Sequence, residues 1–144
     1  MSFNLHPLVV HFPIALLLSY MALDWAGRIW KGKAFTEAAW YALLLGLAGT
    51  LVTLVTGLLA ARTVPMDSPA LATLNTHKFM GIGTLVIFGI QAVCYARNRG
   101  KYTPGKQALH TAIQLIGLGL VLAVGYLGGE LVYTFGIGVA TFVP

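Results

Sequence analysis

Residues 38–61 read AAWYALLLGLAGTLVTLVTGLLAA, a run of 24 residues without a charged side chain. A helix rises about 1.5 Å per residue, so a run of this length crosses the roughly 30 Å hydrocarbon core of a bilayer. A membrane strand is excluded because the apolar residues are continuous and do not alternate at every second position. The run therefore predicts a transmembrane helix.

Three further segments have the same character and cover about residues 7–29, 78–96 and 107–133. The stretches between the four segments contain glycine, proline and basic residues, which are typical of loops. We therefore predict an all-α fold, an integral membrane up-down four-helix bundle, with residues 1–144 forming a single transmembrane domain. The chain leaves no room for a second domain.

The composition excludes several classes of protein. Hydrophobic residues make up 58% of the 144 positions and charged residues only 9%, whereas a soluble domain carries about 25% charged residues. A soluble enzyme and a disordered protein are excluded on this ground. The single cysteine, Cys94, excludes an internal disulfide. Although the net charge is +5, the basic residues are few and lie in short loops, which indicates membrane topology and no nucleic-acid partner.

The basic residues also predict an orientation. Seven of the nine lie in the first and third loops: Arg28, Lys31, Lys33, Arg97, Arg99, Lys101 and Lys106. The positive-inside rule places these two loops in the cytoplasm. We expect a bacterial inner-membrane protein with both termini outside, on the periplasmic side in a Gram-negative cell.

Four histidines stand out from the apolar background, and ionisable residues at membrane depth are candidates for function. His11 lies about one turn inside the first segment and His77 starts the third, so both lie toward the outer face. The first and third helices of an up-down bundle are diagonal, so two such imidazoles can hold one flat cofactor between them. We expect His11 and His77 to be the axial ligands of haem b, with His6 as a supporting group or replacement ligand. The alternative is a pair of interfacial histidines bonded to backbone.

Small residues crowd at the same depth as these histidines. Gly57 on the second segment and Gly125 and Gly128 on the fourth leave space for a cofactor, although ordinary small-residue helix packing gives the same pattern. Arg62 ends the second segment on the outer side. It is a candidate partner for haem propionates, or a cation that reaches lipid headgroups.

Secondary candidates complete the set. His110 starts the fourth segment in the inner leaflet, where Asp24 and Gln114 are its expected partners. Glu130 lies near the outer end, and with the three outer histidines it suggests a zinc, copper or quinone site as an alternative to haem. Chlorophyll is a further alternative, because histidine also binds chlorin magnesium.

Two terminal motifs carry a resemblance. Residues 5–13 read LHPLVVHFP and residues 128–139 read GGELVYTFGIGV. Both resemble the motifs of a family of four-helix inner-membrane proteins of bacteria that is classed as a domain of unknown function. Some of its members are fused to c-type cytochrome domains or encoded beside them. The resemblance covers nearly the whole chain and implies a redox association without assigning a reaction.

The sequence contains no G-x-S-x-G, P-loop, HExxH or C-x-x-C-H motif. We therefore favour an electron carrier or a subunit of a larger complex over an independent enzyme. Electrons would pass between the quinol pool or a partner complex and an outer-face cytochrome. The alternatives are a non-catalytic accessory transmembrane subunit of a respiratory or photosynthetic complex, and the outer-face metal or quinone site.

Overall fold

The computed structural model describes residues 5–98 and 101–138, which form helices joined by short turns, with no strand within these ranges. The helices are α1 His6–Val9, α2 His11–Trp30, α3 Lys33–Ala61, α4 Leu71–Asn98 and α5 Pro104–Tyr133. Four helical stretches are long and apolar enough to cross a membrane, with α1 and α2 counted as one stretch. The predicted all-α four-helix bundle is confirmed. Arg99 and residues 139–144, which the sequence analysis used, lie outside the described residues.

The first span is interrupted at Val10, between α1 and α2. Pro13 explains the interruption, because it has no N–H to donate to the carbonyl four residues earlier and its ring crowds that carbonyl. The backbone at Val10 nevertheless keeps α-helical angles, φ −61° and ψ −30°, so the first span continues through the interruption in the same direction.

Three helices begin earlier than the sequence predicted. Helix α3 starts at Lys33 and not at 38, α4 at Leu71 and not at 78, and α5 at Pro104 and not at 107. The prediction followed the apolar run, but a helix continues past the hydrocarbon for as long as its backbone bonds are satisfied. Proline also suits the first turn of a helix, where its missing N–H has no partner to lose.

The helices follow one another around the bundle. Helix α2 packs on α3, α3 on α4 and α4 on α5, while α5 approaches α2 least closely. Helices α2 and α4 are therefore diagonal, as the bundle topology predicted. The bond from the Tyr20 hydroxyl to Gln91 Oε1, at 2.8 Å, joins them across the core.

The up-down order gives the bundle two distinct ends. We call the end with the α2–α3 turn and the α4–α5 connection the basic end, and the end with α1, residues 62–70 and the end of α5 the histidine end. The main core lies between them and contains Leu17, Tyr20, Met21, Leu43, Phe88 and Val121.

The histidine end has a small apolar cap. Ala70, Leu74 and Leu131 are buried there, and Phe135 and Ile137 of the tail pack against them. The tail turns back because Gly136 has φ +65°, in the left-handed region that favours glycine. The N–H of Ile137 then donates to the carbonyl of Leu131 at 2.9 Å.

Candidate functional site

The histidine end encloses a cavity of about 500 Å³, lined by residues of all five helices and of the tail. Its walls are predominantly apolar, and it lies where α2 and α5 separate. We call it the histidine cavity. A volume of this size falls within the range of pockets for organic ligands and cofactors.

His6 is held against α3. Its Nδ1 lies 3.0 Å from the carbonyl oxygen of Thr53 and 3.4 Å from Thr56 Oγ1. A carbonyl only accepts, so Nδ1 carries the proton and Nε2 carries the lone pair of the neutral ring. The ring packs directly on Gly57, where a Cβ atom would lie 2.8 Å from His6 Cε1. Gly57 therefore makes room for the His6 ring itself.

His77 lies opposite His6, on the second turn of α4. The two ring centroids are 6.2 Å apart and the ring planes are perpendicular, at 89°. The Nδ1 of His77 is buried and makes no hydrogen bond of normal geometry within the described residues, although it interacts weakly with the Val124 backbone of α5. Gly128 of α5 leaves space next to the His77 ring, because a Cβ atom at Gly128 would lie 3.3 Å from His77 Cε1.

His11, which the sequence analysis paired with His77, is the first residue of α2. It lines the histidine cavity but is exposed. The structure thus gives His6 the place opposite His77 that we expected for His11. The two histidines are five positions apart, which on a helix places their side chains about 140° apart around the axis.

The other predicted residues of this end are spread around the cavity. Gly125 faces open space, with no atom within 4 Å of a Cβ placed there, and it lines the cavity with Gly57 and Gly128. Arg62 is exposed and is not part of the cavity wall, whereas Lys78 is. Glu130 is half-buried, and within the described residues it forms no ion pair with Arg62.

The alternative of a metal site with three or more protein ligands gains no support. Within residues 5–98 and 101–138, no group of three or more His, Cys, Asp or Glu side chains is placed to hold a metal ion. Glu130, with the three histidines of this end, does not form such a group. The arrangement left for a metal-containing cofactor is the pair of imidazoles.

The half of the bundle next to the basic end, which we call the basic half, contains the secondary candidates His110 and Asp24. Asp24 accepts a hydrogen bond from Arg28 and, at 2.8 Å, from Gln114 Nε2, and its Oδ2 lies 3.6 Å from His110 Nε2. Arg28 also donates to Thr111 Oγ1 at 2.7 Å. These bonds join α2 to α5 in the half of the bundle away from the histidine cavity.

The sequence analysis missed Tyr20 as a partner of His110, and Gln91 as the partner of Tyr20. The Tyr20 hydroxyl lies 3.1 Å from His110 Nε2 and donates to Gln91. A signal was present in the sequence, because Tyr20, Asp24 and Arg28 are four residues apart and share one helix face.

Comparison with known proteins gives a family and no closer relative. The family described as predicted membrane protein (DUF2231) matches residues 2–141, nearly the whole chain. No curated protein and no solved structure matches the chain. The description gives a membrane protein and names no activity.

Proposed function

The chain belongs to this family of membrane proteins, and from that premise we propose that it binds haem b in the histidine cavity and transfers electrons. The observation that carries the proposal is the pair His6 and His77, whose rings lie across an apolar cavity on separate helices. The bound haem would supply a one-electron carrier. The partners would be a quinol or a membrane redox complex on one side and a cytochrome at the histidine end on the other.

The separation of the two rings supports a shared metal ion. A metal–imidazole bond is about 2.0–2.1 Å, and the ring centre lies about 1 Å behind the nitrogen, so two imidazoles on one ion have centres roughly 6 Å apart. The observed centroid distance is 6.2 Å. The spacing would therefore allow His6 and His77 to hold one metal ion between them.

The hydrogen bonding of the rings supports the same reading. A ligating histidine usually donates its other ring N–H to a carbonyl or carboxylate, which fixes the tautomer and the ring orientation. His6 donates from Nδ1 to the Thr53 carbonyl, so Nε2 is the nitrogen of this ring that would hold a metal ion. The Val124 backbone of α5 lies within reach of the His77 ring and could orient it in the same way.

The walls also suit a largely apolar ring system. Gly81 and Gly125 line the cavity, and a Cβ atom at either position would have no neighbour within 4 Å. Lys78 lines the same cavity and supplies a cation for a carboxylate of the cofactor. From the sequence, Arg62 and Lys78 were equal candidates for this role.

The test is the haem content of the purified wild type and of four single variants, His6→Ala, His77→Ala, His11→Ala and His110→Ala. We expect a reduced-minus-oxidised haem b spectrum in the wild type. The His6 and His77 variants should lose most of the haem or become high-spin. His11→Ala is the matched control, because His11 lines the same cavity without facing His77.

Two results would reject the proposal in different ways. Loss of haem from the His11 variant, with retention in the His6 variant, would return the site to the pair that the sequence favoured. A wild type that contains no haem, and takes up none when it is supplied, would leave an accessory subunit or a quinone site. A quinone extracted from the purified protein in stoichiometric amount would favour the latter.

A further inference from the structure

A second set of polar side chains is buried in the basic half and has no part in the proposed haem site. Its members are Tyr20, Asp24, Gln91, His110 and Gln114, each at most 6% exposed. We call them the basic-half cluster. Acidic and histidine side chains inside a membrane span are costly, and they often belong to proton pathways.

The titratable members form a continuous series of contacts. Asp24 Oδ2 lies 3.6 Å from His110 Nε2, and the same nitrogen lies 3.1 Å from the Tyr20 hydroxyl. Tyr20 in turn donates to Gln91 Oε1 at 2.8 Å. The series of contacts runs from the α2–α5 seam to Gln91 on α4.

One end of this series reaches a polar cavity. A cavity of about 210 Å³ opens at the basic end, and Asp24 forms part of its wall with Arg28, Lys31, Tyr102 and Gln107. The wall is mainly polar and the volume is enough for several water molecules. Asp24 therefore lies between the polar cavity on one side and His110 on the other.

The other end of the series is closed by apolar side chains. Leu17, Phe88 and Val121 are at most 3% exposed. Leu17 and Val121 also line the histidine cavity, and the Phe88 ring lies edge-to-face on Tyr20 with centroids 6.2 Å apart. These residues separate the basic-half cluster from the histidine cavity.

The charged and titratable groups around the pair are few. On α2, Arg28 binds Asp24 and holds a compensating positive charge. Helix α4 contributes the phenol of Tyr95, which donates to the Thr36 carbonyl of α3 at 2.8 Å. Tyr102, between α4 and α5, stacks on the His110 ring at 4.7 Å. Burial, and then the Asp24 charge, raise the pKa of Tyr102, so this phenol remains protonated.

We propose that Asp24 and His110 form a proton-loading site, which takes up a proton from water in the polar cavity at the basic end. Hydronium in the cavity gives up one proton and leaves water, and the pair changes from one negative charge to none. The proton stays on the His110 ring, since Tyr20 already donates its hydrogen to Gln91, and the apolar residues beyond them prevent its passage to the histidine end. This proposal does not depend on the proposed haem site.

The first test reads the protonation of His110 directly, by ¹⁵N NMR of histidine-labelled protein in lipid bilayers. His110→Gln identifies the signal. We expect the wild-type His110 signal to change reversibly between neutral and charged forms with pH. Asp24→Asn should abolish the charged form, because the imidazolium would then be buried beside Arg28 without a counter-charge. Asp67→Asn, in the exposed loop, is the control and should leave the signal unchanged.

The second test concerns the route of the proton. Gln107→Leu places an apolar side chain in the cavity wall and should slow hydrogen–deuterium exchange of the His110 ring several-fold. Lys106→Leu changes the adjacent exposed residue outside the cavity wall and should not. If Asp24→Asn does not fold, the comparison of Gln107→Leu with Lys106→Leu still tests whether protons reach His110 through the polar cavity.

A purely structural cluster gives different results. A His110 ring that stays neutral throughout the pH range of the folded protein, or a charged signal that persists in Asp24→Asn, would overturn the proposal. Equal exchange rates in the Gln107 and Lys106 variants would overturn the route.

Discussion

Replacing Gly57 with alanine tests whether His6 occupies the place assigned to it. The added methyl group would lie 2.8 Å from Cε1 of the His6 ring and 3.0 Å from its Nδ1. Ordinary contact begins at 3.4 Å, so the ring must move away from α3 by about 0.6 Å. The neighbour is a ring that is itself hydrogen-bonded to α3, which makes the displacement costly.

The displacement affects a specific hydrogen bond. His6 Nδ1 lies 3.0 Å from the Thr53 carbonyl, one helical turn before Gly57. Moving the ring off this helix by about 0.6 Å lengthens the contact to roughly 3.6 Å, which no longer counts as a hydrogen bond. The loss reduces the free energy of unfolding by about 0.5–1.5 kcal/mol, and any residual strain adds to that figure.

Gly81→Ala is the matched control. Gly81 is also inside a helix and lines the same cavity, but its Cβ would have no neighbour within 4 Å. Both substitutions gain about 0.5–1 kcal/mol from helix propensity, so this gain cancels in the comparison. We expect Gly57→Ala to be about 1–2 kcal/mol less stable than Gly81→Ala.

The assay is reversible unfolding of the two variants in lipid–detergent micelles under identical conditions. The ¹⁵N signal of His6 should also change in the Gly57 variant alone. Equal stability of the two variants, with an unchanged His6 signal, would refute the packing of His6 on α3. The assignment of His6 as the partner of His77 would then fail with it.

Three further predictions concern packing, charge and topology. Gly46→Ala should be about 1–3 kcal/mol less stable than Gly49→Ala in the same unfolding assay. A Cβ atom at Gly46 would lie 2.7 Å from the Leu17 side chain, whereas the nearest atom to a Cβ at Gly49 is 3.4 Å away. Arg28→Met should destabilise the fold by about 1.5–3 kcal/mol, because Asp24 loses a charged hydrogen-bond donor and keeps only Gln114 and His110, and Arg28→Met combined with Asp24→Asn should recover most of that loss. A reporter that needs the periplasm should be active when fused after Pro144, and activity of a cytoplasmic reporter there would reverse the predicted orientation.

The fold was largely predictable from the sequence. A run such as 38–61 has one physical solution in a bilayer, because each backbone polar group must be bonded within the segment. The bounds of the helices were less predictable. At Leu71 and Pro104 the helix continues through polar residues beyond the apolar run, and hydropathy does not report where a backbone stops being helical.

The candidate site was predictable only in part. The sequence placed three histidines and several glycines at one end, because alternating helix direction is enough to assign a depth. It did not distinguish His6 from His11. The five-residue spacing puts the two rings about 140° apart around the helix axis, so only one of them can face His77, and that choice depends on how the first span is rotated against α3 and α4. Thr53 was also beyond prediction as the partner of His6, since its contribution is a backbone carbonyl.

The two halves of the bundle differ, because the basic half contains buried polar bonds between helices and the histidine end contains a cavity. In the basic half, Trp25, Asp24 and Arg28 of α2 bond to Gln114 and Thr111 of α5. These bonds hold the seam where the two helices otherwise pack least closely. The histidine cavity lies at the opposite end of the same two helices. The buried charges of α2 therefore have a structural role at the α2–α5 seam that is separate from the cavity, because their hydrogen bonds to α5 compensate for the cost of placing them in a segment that crosses a membrane.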